Sequence, residues 1–195
     1  MATEQVYRVD QGAHFARFVE AMRAAWAAGQ DASLPARARP LLEQLLRESP
    51  PDEAWVASLL RDRPPARELY RDPDFGFIQM GHFHGPERVQ LDAEHGLTPH
   101  DHGPCWVLYG VYSGEIEITK YRRADGGAEP GKARLEVVEV VRVTPGTVQP
   151  YVAGEIHATR AISPQGSVVM RFLSDDLDKV ERYRYELATG IVHKL

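Results

Sequence analysis

The chain has 195 residues, of which 43% are hydrophobic and 26% charged, with a net charge of −5 at pH 7. These values are typical of one globular domain with its own core, and the negative charge argues against a nucleic-acid partner. Cys105 is the single cysteine, which rules out an intrachain disulfide and fits a cytoplasmic protein. Because we find neither a signal-peptide pattern nor a long apolar run, we expect no membrane association.

The first third of the chain has helical patterns. Apolar residues recur on one face between Gly12 and Ala28, a second helix is predicted over Pro40–Arg47, and a third over Asp52–Leu60. Pro40 suits a first helical turn and Asp52 an N-cap. We therefore predict a helical section over residues 1–70, packed on a β domain over residues 71–195.

After Tyr70 the chain consists of short β-rich runs separated by turn signals. A helical turn after Ser174 and a hairpin from Arg182 to Leu195 complete the chain. Many short strands without intervening helices indicate an antiparallel sandwich or barrel. The predicted strands are Phe75–Met80, Arg88–Leu91, Cys105–Val111, Glu115–Tyr121, Arg134–Val143, His157–Ile162 and Val168–Leu173.

Three histidines form a candidate metal site. His100 and His102 lie two residues apart, so on an extended segment their side chains point the same way. His157 follows on a later strand. Three imidazoles inside a barrel suit a divalent transition metal and leave coordination positions for a substrate and O2. A zinc hydrolase site is also compatible with three histidines.

The order of these residues resembles the cupin superfamily, which implies a double-stranded β-helix, a jelly-roll barrel. The first cupin motif has His-x-His, then a Glu and a Gly, and the second has a Pro-Gly turn followed by a His. The Glu position falls on Val107, so the usual fourth ligand is missing. The remaining positions match His100, His102, Gly114, Pro145-Gly146 and His157.

Without that Glu, the chain resembles the thiol dioxygenases, the cysteine and 3-mercaptopropionate dioxygenase group, which hold Fe(II) with three histidines. The resemblance covers residues 40–175. It is carried by Leu69-Tyr70-Arg71-Asp72-Pro73, Phe75-Gly76-Phe77, His100-Asp101-His102, Trp106, Gly110-Val111 and Gly114-Glu115.

Substrate-binding residues follow from the same resemblance. The carboxylate-binding Arg of the family lies shortly before the first strand, where Arg67 is nearest and Arg71 is the alternative. Val107 would face the substrate. The inward Ser-His-Tyr trio of the cysteine dioxygenases is absent, because the matching residues are Val169, Arg171 and Leu173. This departure leaves the substrate open.

Three further residues are candidates for catalysis. Arg171 lies in an apolar run and, if odd positions face the interior, points at the metal, where it would need an anion. The alternative is a solvent-facing Arg on an edge strand. Tyr109 shares the parity of Val107 and either lines the pocket or packs in the core. Tyr151 lies in a predicted loop near the mouth, where it could donate a proton.

These observations predict a mononuclear non-haem Fe(II) dioxygenase that oxidises a small anionic substrate with O2. Zinc, nickel or manganese are alternative metals. The competing hypotheses are a metal-dependent isomerase, lyase or hydrolase on the same scaffold, and a non-catalytic ligand-binding cupin. The sequence does not fix the oligomeric state, and a homodimer is one arrangement it allows.

Overall fold

The computed structural model describes residues 10–88 and 97–195. Three helices come first, and they confirm the helical section: α1 Ala13–Ala27, α2 Leu34–Glu48 and α3 Ala54–Asp62. The predicted apolar face of α1 is buried, with Phe15, Val19, Met22 and Trp26 at most 4% exposed. Burial of this stripe against the rest of the protein, rather than helix propensity, stabilises such a helix.

Two local details differ from the prediction. Pro40 lies inside α2, which begins six residues earlier and has Pro35 in its first turn. Asp52 does not cap α3, and no side chain does so. Its neighbour Glu53 instead accepts hydrogen bonds from the backbone N–H groups of His14 and Phe15, at 2.8 and 3.0 Å, and so caps α1. Long-range contacts of this kind leave no local sequence signal.

The described residues form ten strands. They are β1 Arg67–Arg71, β2 Ile78–His84, β3 Val107–Ser113, β4 Ile116–Arg123, β5 Leu135–Val143, β6 Val148–Tyr151, β7 Ile156–Ala161, β8 Ser167–Leu173, β9 Tyr183–Tyr185 and β10 Val192–Lys194. Six of the seven predicted strands overlap β2, β3, β4, β5, β7 and β8. Of the seventh, Arg88–Leu91, only Arg88 lies within the described residues. The predicted C-terminal turn and hairpin are a 3-10 helix at Leu177–Lys179 and the pair β9–β10.

Eight of these strands form two antiparallel sheets, with the orders β1-β2-β8-β3-β6 and β5-β4-β7, and β9 and β10 form a separate two-stranded sheet. Along the chain β3 lies in the first sheet, β4 and β5 in the second, β6 in the first, β7 in the second and β8 in the first. This alternation confirms the predicted double-stranded β-helix. Because β1 pairs with β2, the first sheet begins at Arg67, four residues before the predicted start of the β domain.

Two main cores hold these layers together. One lies between the helices and the five-stranded sheet, where Trp26 contacts Phe77 and Trp106, and Phe172 stacks on Trp106 at 5.3 Å between ring centroids. The other fills the barrel interior with aliphatic side chains of both sheets, including Val107, Ile118 and Val169. Among the described residues no helix is long and apolar enough to cross a membrane.

Candidate metal centre

His100 and His157 are direct partners in an antiparallel backbone pair. The N–H of His100 donates to the carbonyl of His157 at 2.9 Å, and the N–H of His157 donates back at 3.0 Å. The first histidine of the His-x-His motif is thereby joined to β7, which carries the third. Their side chains emerge next to each other because directly opposed residues of a sheet share a face.

Asp101 points away from the two flanking histidines and anchors their segment to the C-terminal hairpin. Its carboxylate accepts hydrogen bonds from the N–H of Gly103 at 2.9 Å, the N–H of Tyr183 at 3.2 Å and the hydroxyl of Tyr185 at 2.7 Å. Its own N–H donates to the carbonyl of Tyr183. The central residue of the motif therefore fixes the position of the two outer ones.

The three imidazoles converge as the sequence predicts. One ring nitrogen from each of His100, His102 and His157 lies within 4.8 Å of the other two. Ring centroids are 4.7 Å apart for His100 and His157 and 4.8 Å apart for His102 and His157. His102 and His157 are almost fully buried, and His100 is partly exposed toward a cavity.

The donor set fits a divalent metal ion. Nδ1 of His100 lies 3.2 Å from the carbonyl of Thr98, and Nδ1 of His157 lies 3.3 Å from that of Glu155. Since a carbonyl only accepts, these Nδ1 atoms carry the protons and each Nε2 keeps a lone pair. The Nε2 atoms of His102 and His157 are buried and have no hydrogen-bond partner in the described parts of the chain.

Electrostatics also favour metal binding. Burial lowers the pKa of all three histidines, and the positive charge of Arg171 lowers it further; neighbouring histidines add to the effect at His102 and His157. Neutral imidazole is the form that ligates a metal. The three side chains can therefore hold a divalent ion through their free ring nitrogens.

Tyr151 is placed differently from the prediction. It ends β6, is fully buried and stacks on His157 with 3.8 Å between ring centroids, so it does not lie in a loop at the mouth. Its hydroxyl faces that of Thr159 without a hydrogen bond of ordinary geometry. Burial and the nearby Tyr109 and Glu155 raise its pKa well above the usual value. Tyr151 thus packs against the imidazole of His157, one of the three candidate metal ligands.

A cavity of about 480 Å³ opens beside His100. Its described wall has a positive character, because the charged side chains along it are basic and no acidic residue contributes. The volume is within the range of small-molecule sites and exceeds what one water or ion fills. The lining residues are Pro65, Ala66, His82, His84, Arg88, Thr98, His100, Tyr109, Thr159, Val169, Arg171, Arg182, Arg184 and Leu195.

Arg171 and Tyr109 face this cavity from adjacent strands. They are opposite each other in the β3–β8 pair, and Nη1 of Arg171 donates to the Tyr109 hydroxyl at 3.3 Å. Odd positions of β8 face the barrel interior, since Val169 and Leu173 belong to its core. Val107 is fully buried in the same core and does not line the cavity.

The two arginines expected to bind a carboxylate lie elsewhere. Arg67 pairs with Asp62 at 2.9 Å, and Arg71 pairs with Glu68 and Asp176 at 2.7 and 2.8 Å. Both side chains are more than a third exposed, and neither lines the cavity. Their guanidinium groups are paired with acidic side chains outside the cavity, so the geometry does not support their predicted role in binding a substrate carboxylate.

Arg182 and Arg184 line the cavity but were not among the predicted site residues. They reach it because β9 pairs with the His-x-His segment, with His100 opposite Arg184. Their spacing of two residues on a predicted strand, which puts both on one face, was the signal available in the sequence.

Several solved structures are similar to part of this chain. No known family profile and no curated protein matches the chain. Among solved structures, the Cnp3 cupin domain of Schizosaccharomyces pombe has 12% identity and a TM-score of 0.39 over 57% of this chain and 64% of that chain. KdgF from Halomonas sp. has 16% identity and a TM-score of 0.37 over 59% of this chain and 83% of that chain.

The capsular polysaccharide assembling protein CapF from Staphylococcus aureus has 16% identity and a TM-score of 0.41, over 69% of this chain and 30% of that chain. The chain therefore covers less than two thirds of the length of the Cnp3 domain and of CapF. At these identities the matches carry no information about substrate or reaction.

Proposed function

We propose that this protein is a mononuclear non-haem Fe(II) dioxygenase of the thiol-dioxygenase type that acts on a small anionic substrate. The observation that carries the proposal is the convergence of three neutral imidazoles at the wall of a cavity lined with arginines. Three neutral ligands leave the full charge of the ion in place, so the centre favours anionic donors such as thiolate or enolate.

An iron ion held by His100, His102 and His157 would supply the electrons that activate O2. The protein supplies the rest. Backbone carbonyls of Thr98 and Glu155 hold two imidazoles in the tautomer that ligates. Zinc, nickel or manganese would fit the same nitrogen donors, so the choice of iron rests on the chemistry proposed.

The cavity wall supports binding of an anion. Arg171 is fixed through Tyr109, while Arg182 and Arg184 approach from the hairpin on the other side of His100. Guanidinium groups bind carboxylates through paired N–H donors. The apolar residues behind them, including Val107 and Leu173, keep water out of the interior. Arg171 is the residue we assign to the substrate anion nearest the metal.

A second candidate is a metal-dependent isomerase, lyase or hydrolase on the same scaffold. It is favoured by one observation: the interior face of β8 presents Val169, Arg171 and Leu173 where the cysteine dioxygenases carry Ser, His and Tyr. A site without that His and Tyr has a different set of proton donors, which argues against cysteine itself as the substrate.

Metal analysis and oxygen uptake test the proposal. The purified protein should hold one metal ion per chain, and after loading with Fe(II) it should consume O2 with at least one member of a panel of small thiols and diketones. Protein without stoichiometric metal would overturn the proposal. Turnover under anaerobic conditions, without O2 uptake, would favour the second candidate.

A further inference from the structure

A fourth histidine, His82, reaches the cavity from β2, which carries none of the three metal ligands. It is 8% exposed, and its Nδ1 lies 2.9 Å from the carbonyl oxygen of Pro65. Since that oxygen only accepts, Nδ1 carries the proton and Nε2 keeps a lone pair. Nε2 is buried and receives no hydrogen bond from any described residue.

Arg171 emerges beside His82 on the same wall. In the β2–β8 pair His82 is opposite Val169 and Met80 is opposite Arg171, so the two polar side chains lie diagonally on one face. Arg171 donates to Tyr109 through Nη1, but its Nε is buried without an acceptor among the residues described. An unsatisfied buried donor and an unsatisfied buried acceptor thus lie on the same face of two paired strands.

His82 keeps its acceptor character at neutral pH. Burial lowers its pKa to about 3, and the positive charge of Arg171 contributes in the same direction. His84 lies near it, with ring centroids 6.0 Å apart, and Arg88 also lowers the His82 pKa. The groups around His82 are therefore neutral or positive, and they disfavour a second proton on its ring.

We infer that the substrate of this cavity is a small carboxylate with a hydroxyl or amino group beside the carboxylate. Arg171 binds the carboxylate, and Nε2 of His82 accepts a hydrogen bond from the neighbouring group. The inference rests on the proposed function in one respect: it takes the cavity beside the three histidines as the substrate site.

The geometry makes His82 a residue that determines specificity. A carboxylate with the donor satisfies this buried acceptor, whereas a carboxylate without the donor leaves Nε2 unpaired and therefore binds more weakly. Sites built around a buried hydrogen-bonding group reject analogues that lack the partner group for the same reason.

Binding of three matched acids to the purified 195-residue protein tests the inference. Lactate has the donor, 2-methoxypropionate keeps the oxygen but lacks its proton, and propionate lacks both. Affinities follow from ligand-observed NMR titrations of their methyl signals. We expect lactate to bind about 3- to 10-fold more tightly than either of the other two, the range of one hydrogen bond.

Two substitutions of His82 assign that preference. His82→Phe should reduce the ratio of lactate to propionate affinity to about 1, whereas His82→Gln, which offers an amide oxygen, should retain part of it. His14→Phe is the matched control, because His14 pairs with Glu53 at the start of α1 and does not line the cavity, and it should leave the ratio unchanged. Retention of the full preference in folded His82→Phe, as chelation by the metal alone would give, would overturn the inference.

A substitution of Arg171 completes the test. Arg171→Gln should weaken all three acids by at least about tenfold, because each loses the same charged partner. Arg61→Gln, at an exposed surface ion pair, should weaken none of them. The readout is binding, so absent O2 uptake would sink the proposed reaction without touching this preference. Equal affinities of the wild type for lactate and propionate would sink the preference alone.

Discussion

The hydroxyl of Tyr185 donates a hydrogen bond of 2.7 Å to Oδ2 of Asp101, in the middle of the segment that carries two of the three candidate metal ligands. Tyr185→Phe removes this donor and leaves a buried carboxylate oxygen unsatisfied. We expect the free energy of unfolding to fall by about 1–3 kcal/mol. Metal affinity should fall about tenfold, as for other residues that orient metal ligands.

Chemical denaturation and a competition assay with a metal chelator measure these two effects. Tyr183→Phe is the control, because the Tyr183 hydroxyl bonds to exposed Glu181 and not to Asp101. Equal metal affinity in Tyr185→Phe and Tyr183→Phe would show that the hairpin does not orient the ligand segment.

Replacement of His157 tests the metal site itself. His157→Ala should lose most bound metal, because it removes the imidazole that lies nearest to both other rings. Removing the metal from the wild type should also lower its stability, by about 4 kcal/mol when the free metal had been at a thousand times its dissociation constant. Elemental analysis and thermal unfolding measure the two effects. His193→Ala should keep the metal of the wild type, and a His157→Ala protein with the same metal content would contradict the site.

Substitutions of Tyr151 separate packing from proton transfer. Tyr151→Phe keeps the ring on His157 and removes a buried hydroxyl that makes no ordinary hydrogen bond. The free energy of unfolding should therefore change by no more than about 1 kcal/mol, and the metal content should stay that of the wild type. Tyr151→Ala should cost about 3–5 kcal/mol, as for other buried aromatic residues. A large loss of turnover in fully metallated Tyr151→Phe would instead support the predicted role as a proton donor.

Gly103 is expected to tolerate no side chain. Its φ of 57° disfavours other residues, and a Cβ there would lie 2.2 Å from the backbone oxygen of Glu181. Gly103→Ala should therefore destabilise the protein by more than the roughly 1 kcal/mol expected for the left-handed backbone alone. Gly126→Ala is the matched control, because Gly126 has a φ of 62° and open space around it. Equal costs in denaturant titrations would show that the hairpin yields at Gly103.

The parts of the site that follow from local periodicity could be predicted from the sequence. His100 and His102 share a face because side chains of an extended segment alternate. The parity argument also placed Arg171 on the interior face of β8, whereas the Pro145-Gly146 turn before His157 identified the third ligand only through the resemblance to the cupin motif. The helices followed from their apolar stripes.

The parts that depend on distant pairing could not be predicted. Strand β6 contains Pro150, which weakens a strand pattern and is tolerated because β6 lies at the edge of its sheet. Arg182 reaches the cavity only through the pairing of the hairpin with the segment around His100. Arg67 and Arg71 form ion pairs with acidic residues away from the cavity, and the partner of Arg71, Asp176, is distant in the sequence.

The reciprocal main-chain hydrogen bonds between His100 and His157 bear on which ions the site can accept. Two of the three ligands are anchored on residues whose separation is set by the sheet, at about 5.5 Å between Cα atoms in a pair of this kind. The Cα atoms of these two residues cannot move apart without straining both hydrogen bonds. A change of ionic radius therefore has to be absorbed by side-chain rotation or by movement of His102, and discrimination between metals of different size would depend on the packing around the imidazoles.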